Sequence, residues 1–212
     1  MNKALITAIF ILECFALPVQ YFLLLHDTEF TIFEATIRFF SYFTILTNSL
    51  VALCSFFLLT TADTRLKQFF SKSTTQTAIT VYILIVGLVY NIILRPLAEF
   101  DGLHLVVSEI FHTIVPLLFL YFWIKFVPKQ TLSYKWLPMW MIYPLVYVIY
   151  TLFHGIFSGF YPYPFIDAGK LGYAVATTNG VFVLVAFILL SAILIAFGKF
   201  RTKVNITDEG TS

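Results

Sequence analysis

A chain of 212 residues with 60% hydrophobic and 19% aromatic side chains but only 11% charged ones, and a mean hydropathy of +0.91, does not describe an ordinary soluble domain. Its 13 Lys and Arg against 11 Asp and Glu leave a net charge of +2, and no basic run has aromatic platforms beside it, which excludes nucleic acid as a partner. Cys14 and Cys54 are the two cysteines, both inside apolar stretches, so neither a disulfide framework nor a thiolate metal site is expected.

A membrane-crossing helix needs about 20 mostly apolar residues, because unpaired backbone groups are too costly in hydrocarbon. Six segments qualify, at 4–25, 36–59, 77–97, 105–127, 137–157 and 173–197. The first is too long for a signal-peptide apolar region, holds Glu13 at its centre and lacks a small-x-small cleavage site, so it reads as a true helix. Ten of the 13 basic residues fall on one side: Lys3, Arg65, Lys67, Lys72, Lys125, Lys129, Lys135, Lys199, Arg201 and Lys203. The positive-inside rule makes that side cytoplasmic. The opposite side carries Asp27, Glu29, Glu34, Glu99, Asp101 and Asp167, with Lys170 as its one loop cation. The predicted fold is therefore an all-α integral membrane bundle of six transmembrane helices with both termini cytoplasmic. It comprises one domain at 1–198 and a short cytoplasmic tail at 199–212.

Polar residues inside such spans are expensive, and each is a functional hypothesis by default. The second and fourth spans both run inward from the outer face. Thr44 then lies about 12 Å and His112 about 11 Å below that edge, at a rise of 1.5 Å per residue. Ser41, Thr44 and Asn48 follow the i, i+3, i+7 spacing of one helix face, and Thr47 lies beside them. Glu109, His112, Thr113 and Pro116 share a stripe of the fourth span, and Asn91 and Arg95 are four apart near the outer end of the third. His154 on the fifth span and Asn179 on the sixth complete the polar set. Ser, Thr and Asn at such positions also serve as interhelical hydrogen-bond glue. The arginines Arg38 and Arg95, at span ends, can snorkel to headgroups.

A Thr hydroxyl becomes a nucleophile when a neutral His within hydrogen-bond reach removes its proton. Thr44 and His112 are the pair that depth selects. Glu109, three residues before His112, is expected to orient the imidazole, and Asn48 or Asn91 to stabilise an oxyanion. Arg38 and Arg95 are expected to hold an anionic group of the same substrate. A reaction centre about a third of the way into the membrane suits a lipid ester, with acyl chains arriving from the bilayer and water from the outer side. No cofactor is expected. A haem or zinc centre built on His112 and His154, with Glu109 or His104, lacks the third protein ligand within spans that a zinc hydrolase needs. Phe160–Phe165, with two prolines among aromatics, reads either as a lid over the cavity or as an interfacial anchor and turn. Asn205-Ile-Thr207 fits a glycosylation sequon but falls on the cytoplasmic tail.

Three segments carry a resemblance: Arg38-Phe-Phe-Ser-Tyr-Phe-Thr-Ile-Leu-Thr-Asn48, Phe111-His-Thr-Ile-Val-Pro116 and Tyr163-Pro-Phe165. With them the chain resembles the bacterial Pr-six-Pr membrane proteins over nearly its whole length. It is more distantly similar to the animal androgen-induced family of multi-pass hydrolases, through the His-Thr-x-Val-Pro and Tyr-Pro-Phe matches and span order. The animal family implies a threonine-type hydrolase of fatty acid esters of hydroxy fatty acids, using one membrane Thr and one membrane His. By motif the His falls on His112 and the Thr on Thr44, with Thr47 and Ser41 as neighbouring alternatives. No acidic residue follows Thr44 within its span, a departure from the animal pattern that leaves a different lipid ester open. The competing expectation is a non-enzymatic transporter or lipid-binding protein holding an anionic ligand between Arg38 and Arg95. Membrane lipids are the expected surroundings in either case.

Overall fold

The computed structural model describes residues 2–26, 29–97 and 99–209, with side chains described through residue 202. Asp27, the side chain of Lys203 and the sequon side chains lie outside the described residues.

All regular structure among the described residues is helical. Helix α1 spans Lys3–His26, α2 Ile32–Ser41, α3 Phe43–Leu59, α4 Arg65–Ser71 and α5 Ser73–Val89. The rod of α5 continues through a π turn at Tyr90–Leu94 and a 3-10 turn at Arg95–Leu97. Helix α6, Gly102–Glu109, passes through a second π turn at Ile110–Ile114 into α7, Val115–Phe126. Then follow α8 at Leu137–Ser158, the single turn α9 at Ala168–Leu171 and α10 at Tyr173–Glu209.

Five rods are long and apolar enough to cross a membrane: Lys3–His26, Ser73–Leu97, Gly102–Phe126, Tyr134–Ser158 and Tyr173–Thr202. The span expected at 36–59 is not one straight helix. It is the pair α2 and α3, bent by 79° where Tyr42 turns extended (φ −82°, ψ 126°). Two local features favour the break. Thr31 caps α2, its side chain accepting from the Glu34 N–H at 3.2 Å, which starts a helix upstream of the expected edge. At the other end, the Ser41 hydroxyl donates back to the Ile37 carbonyl at 2.7 Å, a bond that competes with helix continuation. Ala35, Phe39 and Ser41 of α2 are buried, while Ile32, Phe33 and Phe40 are exposed. The depth assigned to Thr44 from a straight span is thereby corrected: Thr44 lies in the first turn of α3.

The helices form two compact units, Met1–Val127 and Pro128–Ser212, where one domain to residue 198 was expected. The expected boundary at 198 falls inside α10, since 199–209 contains no Pro or Gly to end the helix. In the first unit α1 packs on α3, α3 on α5, α5 on α7 and α7 on α1, a closed ring of four helices. Its interior holds Ile6, Ile9, Val51, Val81, Ile83, Phe119 and Trp123. The indole Nε1 of Trp123 donates to Thr77 Oγ1 at 2.8 Å, satisfying a buried donor while tying α7 to α5. In the second unit α8 ends at Gly159, whose φ of +67° is the left-handed C-terminal turn that glycine accepts without strain. The following loop folds onto its own helices: Tyr161 lies against Gly155, Tyr163 stacks on Phe165, and Asn179 Nδ2 donates to the Phe165 carbonyl at 2.8 Å.

Candidate active site in the first unit

The first unit brings Thr44 and His112 together. Thr44 Oγ1 lies 3.5 Å from His112 Nε2, longer than the roughly 2.8 Å of a tight O–H···N bond but within the range seen before substrate tightens a catalytic contact. The other ring nitrogen fixes what Nε2 can do. His112 Nδ1 is 2.8 Å from the backbone carbonyl of Ser108. A carbonyl only accepts, so Nδ1 carries the proton and Nε2 of the neutral ring presents a lone pair to Thr44. The Ser108 hydroxyl, 3.3 Å from the same nitrogen, adds a second contact. Tyr90 stacks on the imidazole at 3.8 Å between centroids and 15° between planes, which holds the plane of the ring.

The backbone around His112 explains why it sits there. Pro116 has no N–H, so the His112 carbonyl lacks the donor that an α-helix would give it four residues on. Asn91 supplies the bond from the neighbouring rod: its Nδ2 donates to the His112 carbonyl at 3.0 Å and to the Gly87 carbonyl at 2.9 Å, with Thr113 Oγ1 at 3.5 Å. Both residues lie in π turns, whose widened rings leave carbonyls available to a neighbour. The rods come this close because residue 87 is glycine. A Cβ there would lie 2.9 Å from the His112 carbonyl oxygen and 3.3 Å from Pro116.

These bonds revise several expected roles. Glu109 does not orient the imidazole; its carboxylate pairs with Arg95, and the backbone of Ser108 performs that task instead. The reason is helical phase, since the i−4 carbonyl lies along the ring's side of the helix. Asn91 is not an oxyanion donor, because its two amide hydrogens are taken by carbonyls. Arg95 also donates from Nη1 to Asn91 Oδ1 at 2.8 Å, so Glu109, Arg95, Asn91 and the His112 backbone form one chain. Arg38 donates to Glu34 at 3.0 and 3.2 Å and lies 4.2 Å over the Phe30 ring. Each arginine proposed to hold an anion is thus committed to a carboxylate of its own rod or its neighbour.

Among the alternative nucleophiles, Ser41 donates to Ile37, as above, and Thr47 is fully buried; Thr44 is the hydroxyl at His112. Asn48 is fully buried one turn below Thr44 and donates to the Thr44 carbonyl at 2.8 Å. His154 belongs to the second unit, where its ring contacts Tyr150, Phe160 and the Ser158 hydroxyl. No group of three or more His, Cys, Asp or Glu side chains among the described residues is arranged to hold a metal ion. Ser108, Tyr90 and Gly87 were not singled out from sequence. The i−4 spacing of Ser108 from His112 is the one signal that could have found any of them.

No family model, curated protein or solved structure matches the chain. The reading of the site therefore stands on its residues and their geometry.

Proposed function

We propose that the protein is a multi-pass membrane hydrolase of lipid esters, with Thr44 as nucleophile and His112 as general base. The observation that carries this reading is the Thr44 hydroxyl 3.5 Å from His112 Nε2, on a ring whose other nitrogen lies 2.8 Å from a backbone carbonyl. Six crossings follow if the bent pair α2 and α3 counts as one. Both termini then share a side, and the concentration of Lys and Arg there makes it cytoplasmic.

In the acylation step Thr44 Oγ attacks the ester carbonyl carbon while Nε2 takes the hydroxyl proton. The tetrahedral oxyanion collapses, the C–O bond to the alcohol breaks, and the imidazolium returns its proton to the departing alkoxide. Water then attacks the acyl-threonine, again with Nε2 as proton acceptor, and releases the acid and free Thr44. The first turn of α3 has no side-chain cap, so the positive end of its dipole lies where negative charge develops on the Thr44 oxygen and the bound ester. The substrate class, long-chain esters such as fatty acid esters of hydroxy fatty acids, follows from the resemblance and from the apolar surroundings of the site.

The test is hydrolysis of long-chain esters by the purified protein in detergent or nanodiscs. Thr44→Ala and His112→Ala are each expected to lower kcat/KM by about two to four orders of magnitude. Turnover that survives in both variants overturns the proposal.

A further inference from the structure

One end of the second unit collects positive charge with little to balance it. Between residues 128 and 207 the chain has six Lys or Arg residues and one acid, Asp167. That acid pairs with Lys170 at 3.6 Å, in the connection from α8 to α10. At the opposite end the rod Tyr134–Ser158 begins and the rod Tyr173–Thr202 finishes, and the segment before α8 lies against the last turns of α10. A Cβ on Gly198 would lie 3.0 Å from Lys129 Cγ and 3.3 Å from Lys129 Cβ, so the Lys129 stem crosses α10 at that glycine. Arg201 is three residues on, which places it on the same helix face as Gly198. Its charge acts on the Lys129 amine, and among the described residues Arg201 has no acid partner. Lys199 projects from the other side of α10, where its Nζ lies 4.4 Å over the Tyr134 ring. The next acids along the chain, Asp208 and Glu209, come about 10 Å further along the helix than Arg201.

Two cations turned toward each other, one of them only 9% exposed, repel, and an anion between them converts that repulsion into attraction. The planar guanidinium fork of Arg201 and the point charge of Lys129 together suit the several oxygens of a phosphate. The surroundings say where such a phosphate comes from. Tyr134 and Trp136 stand at the start of one apolar rod, beside the end of another, and such amphipathic rings settle at headgroup level. We propose that Lys129 and Arg201 bind the phosphate of an anionic lipid headgroup at this end of the second unit, with Lys199 and Lys135 contributing only a longer-range field. This rests on reading the rods as membrane crossings and not on the hydrolase chemistry, and its test has no activity readout.

The experiment is thermal unfolding of the purified full-length protein in neutral detergent, at neutral pH and constant ionic strength, titrated with dioctanoyl phosphatidic acid. Dioctanoyl phosphatidylcholine and inorganic phosphate form the comparison arms. The unfolding midpoint is expected to rise saturably with phosphatidic acid, by about 5 to 10 °C at a hundredfold excess over the dissociation constant, and to respond far less in either other arm. Arg201→Gln and Lys129→Met are each expected to raise the half-saturating concentration about fivefold. Lys199→Gln removes the same charge from the other side of the helix and should change it by less than about twofold. Equal responses to the two lipids overturn the proposal, as does a phosphatidic acid response unaltered by both Arg201→Gln and Lys129→Met. A loss as large in Lys199→Gln reduces the effect to a general field and overturns the site. A response to inorganic phosphate equal to that of the lipid assigns the site to free phosphate and overturns the lipid.

Discussion

The orientation of His112 rests on a backbone atom, and this gives its neighbours unequal importance. Ser108 contributes a carbonyl at 2.8 Å and a hydroxyl at 3.3 Å to the same ring nitrogen. Only the carbonyl fixes the tautomer, because a hydroxyl can donate as well as accept. Ser108→Ala should therefore keep kcat/KM within about threefold of wild type, an effect of well under 1 kcal/mol. Loss comparable to His112→Ala would show that the hydroxyl, and not the backbone, positions the ring. Asn91 is the opposite case, since its side chain replaces a hydrogen bond that Pro116 forbids. Asn91→Leu leaves the His112 carbonyl unsatisfied and should lower stability by about 1–3 kcal/mol, read as a fall in the unfolding midpoint together with reduced activity. The meeting of Thr44 and His112 was legible in the sequence, because a hydroxyl and an imidazole at similar depth in apolar spans stand out. The role of Ser108 was not, because a backbone carbonyl has no sequence signature and the nearby carboxylate of Glu109 is the more conspicuous partner.

At the level of elements, two π turns and one sharp bend build the site. The rods Ser73–Leu97 and Gly102–Phe126 meet where Gly87 lets the His112 carbonyl approach, and Asn91 bonds across the contact. Gly87→Ala places a methyl 2.9 Å from that backbone oxygen. The rods must separate to admit it, at a cost of about 1–3 kcal/mol, and the Thr44 to His112 contact is disturbed with them. A variant with an unchanged unfolding midpoint and full activity would mean that the close approach is not what seats the histidine. Hydropathy could not reveal the bend at Tyr42, since the sequence is apolar on both sides of it and each half alone satisfies helical patterning. Pro116 removes a backbone donor from its rod, but which residue would mend the orphaned carbonyl depends on packing between rods distant in sequence.

For the molecule as a whole, the helical class and five of the six expected apolar rods followed from composition, because about 20 apolar residues have few alternatives to a helix. The division at Val127 and Pro128 did not, since the short linkers between rods look alike in composition. Stability should also carry a signature from outside the rods. Lys129 is 9% exposed; burial, reinforced by the nearby Arg201 charge, pushes its amine down to about 8 from an ordinary 10.5. The folded state thus disfavours the charged form, a cost fully present below about pH 8 and removed as pH rises toward 10.5. The unfolding midpoint should climb across that window, and Lys129→Met should flatten the climb. An equal slope in the variant would exclude Lys129 as its source.

The central claim, that His112 makes a nucleophile of Thr44, is tested most directly by covalent capture. The purified protein is treated with a long-chain fluorophosphonate and the adduct located by mass spectrometry of its peptides. The account predicts phosphonylation at Thr44, lost in Thr44→Ala and strongly slowed in His112→Ala. Labelling at Ser41, Thr47 or another residue with Thr44 unmodified, or labelling indifferent to His112, would contradict it.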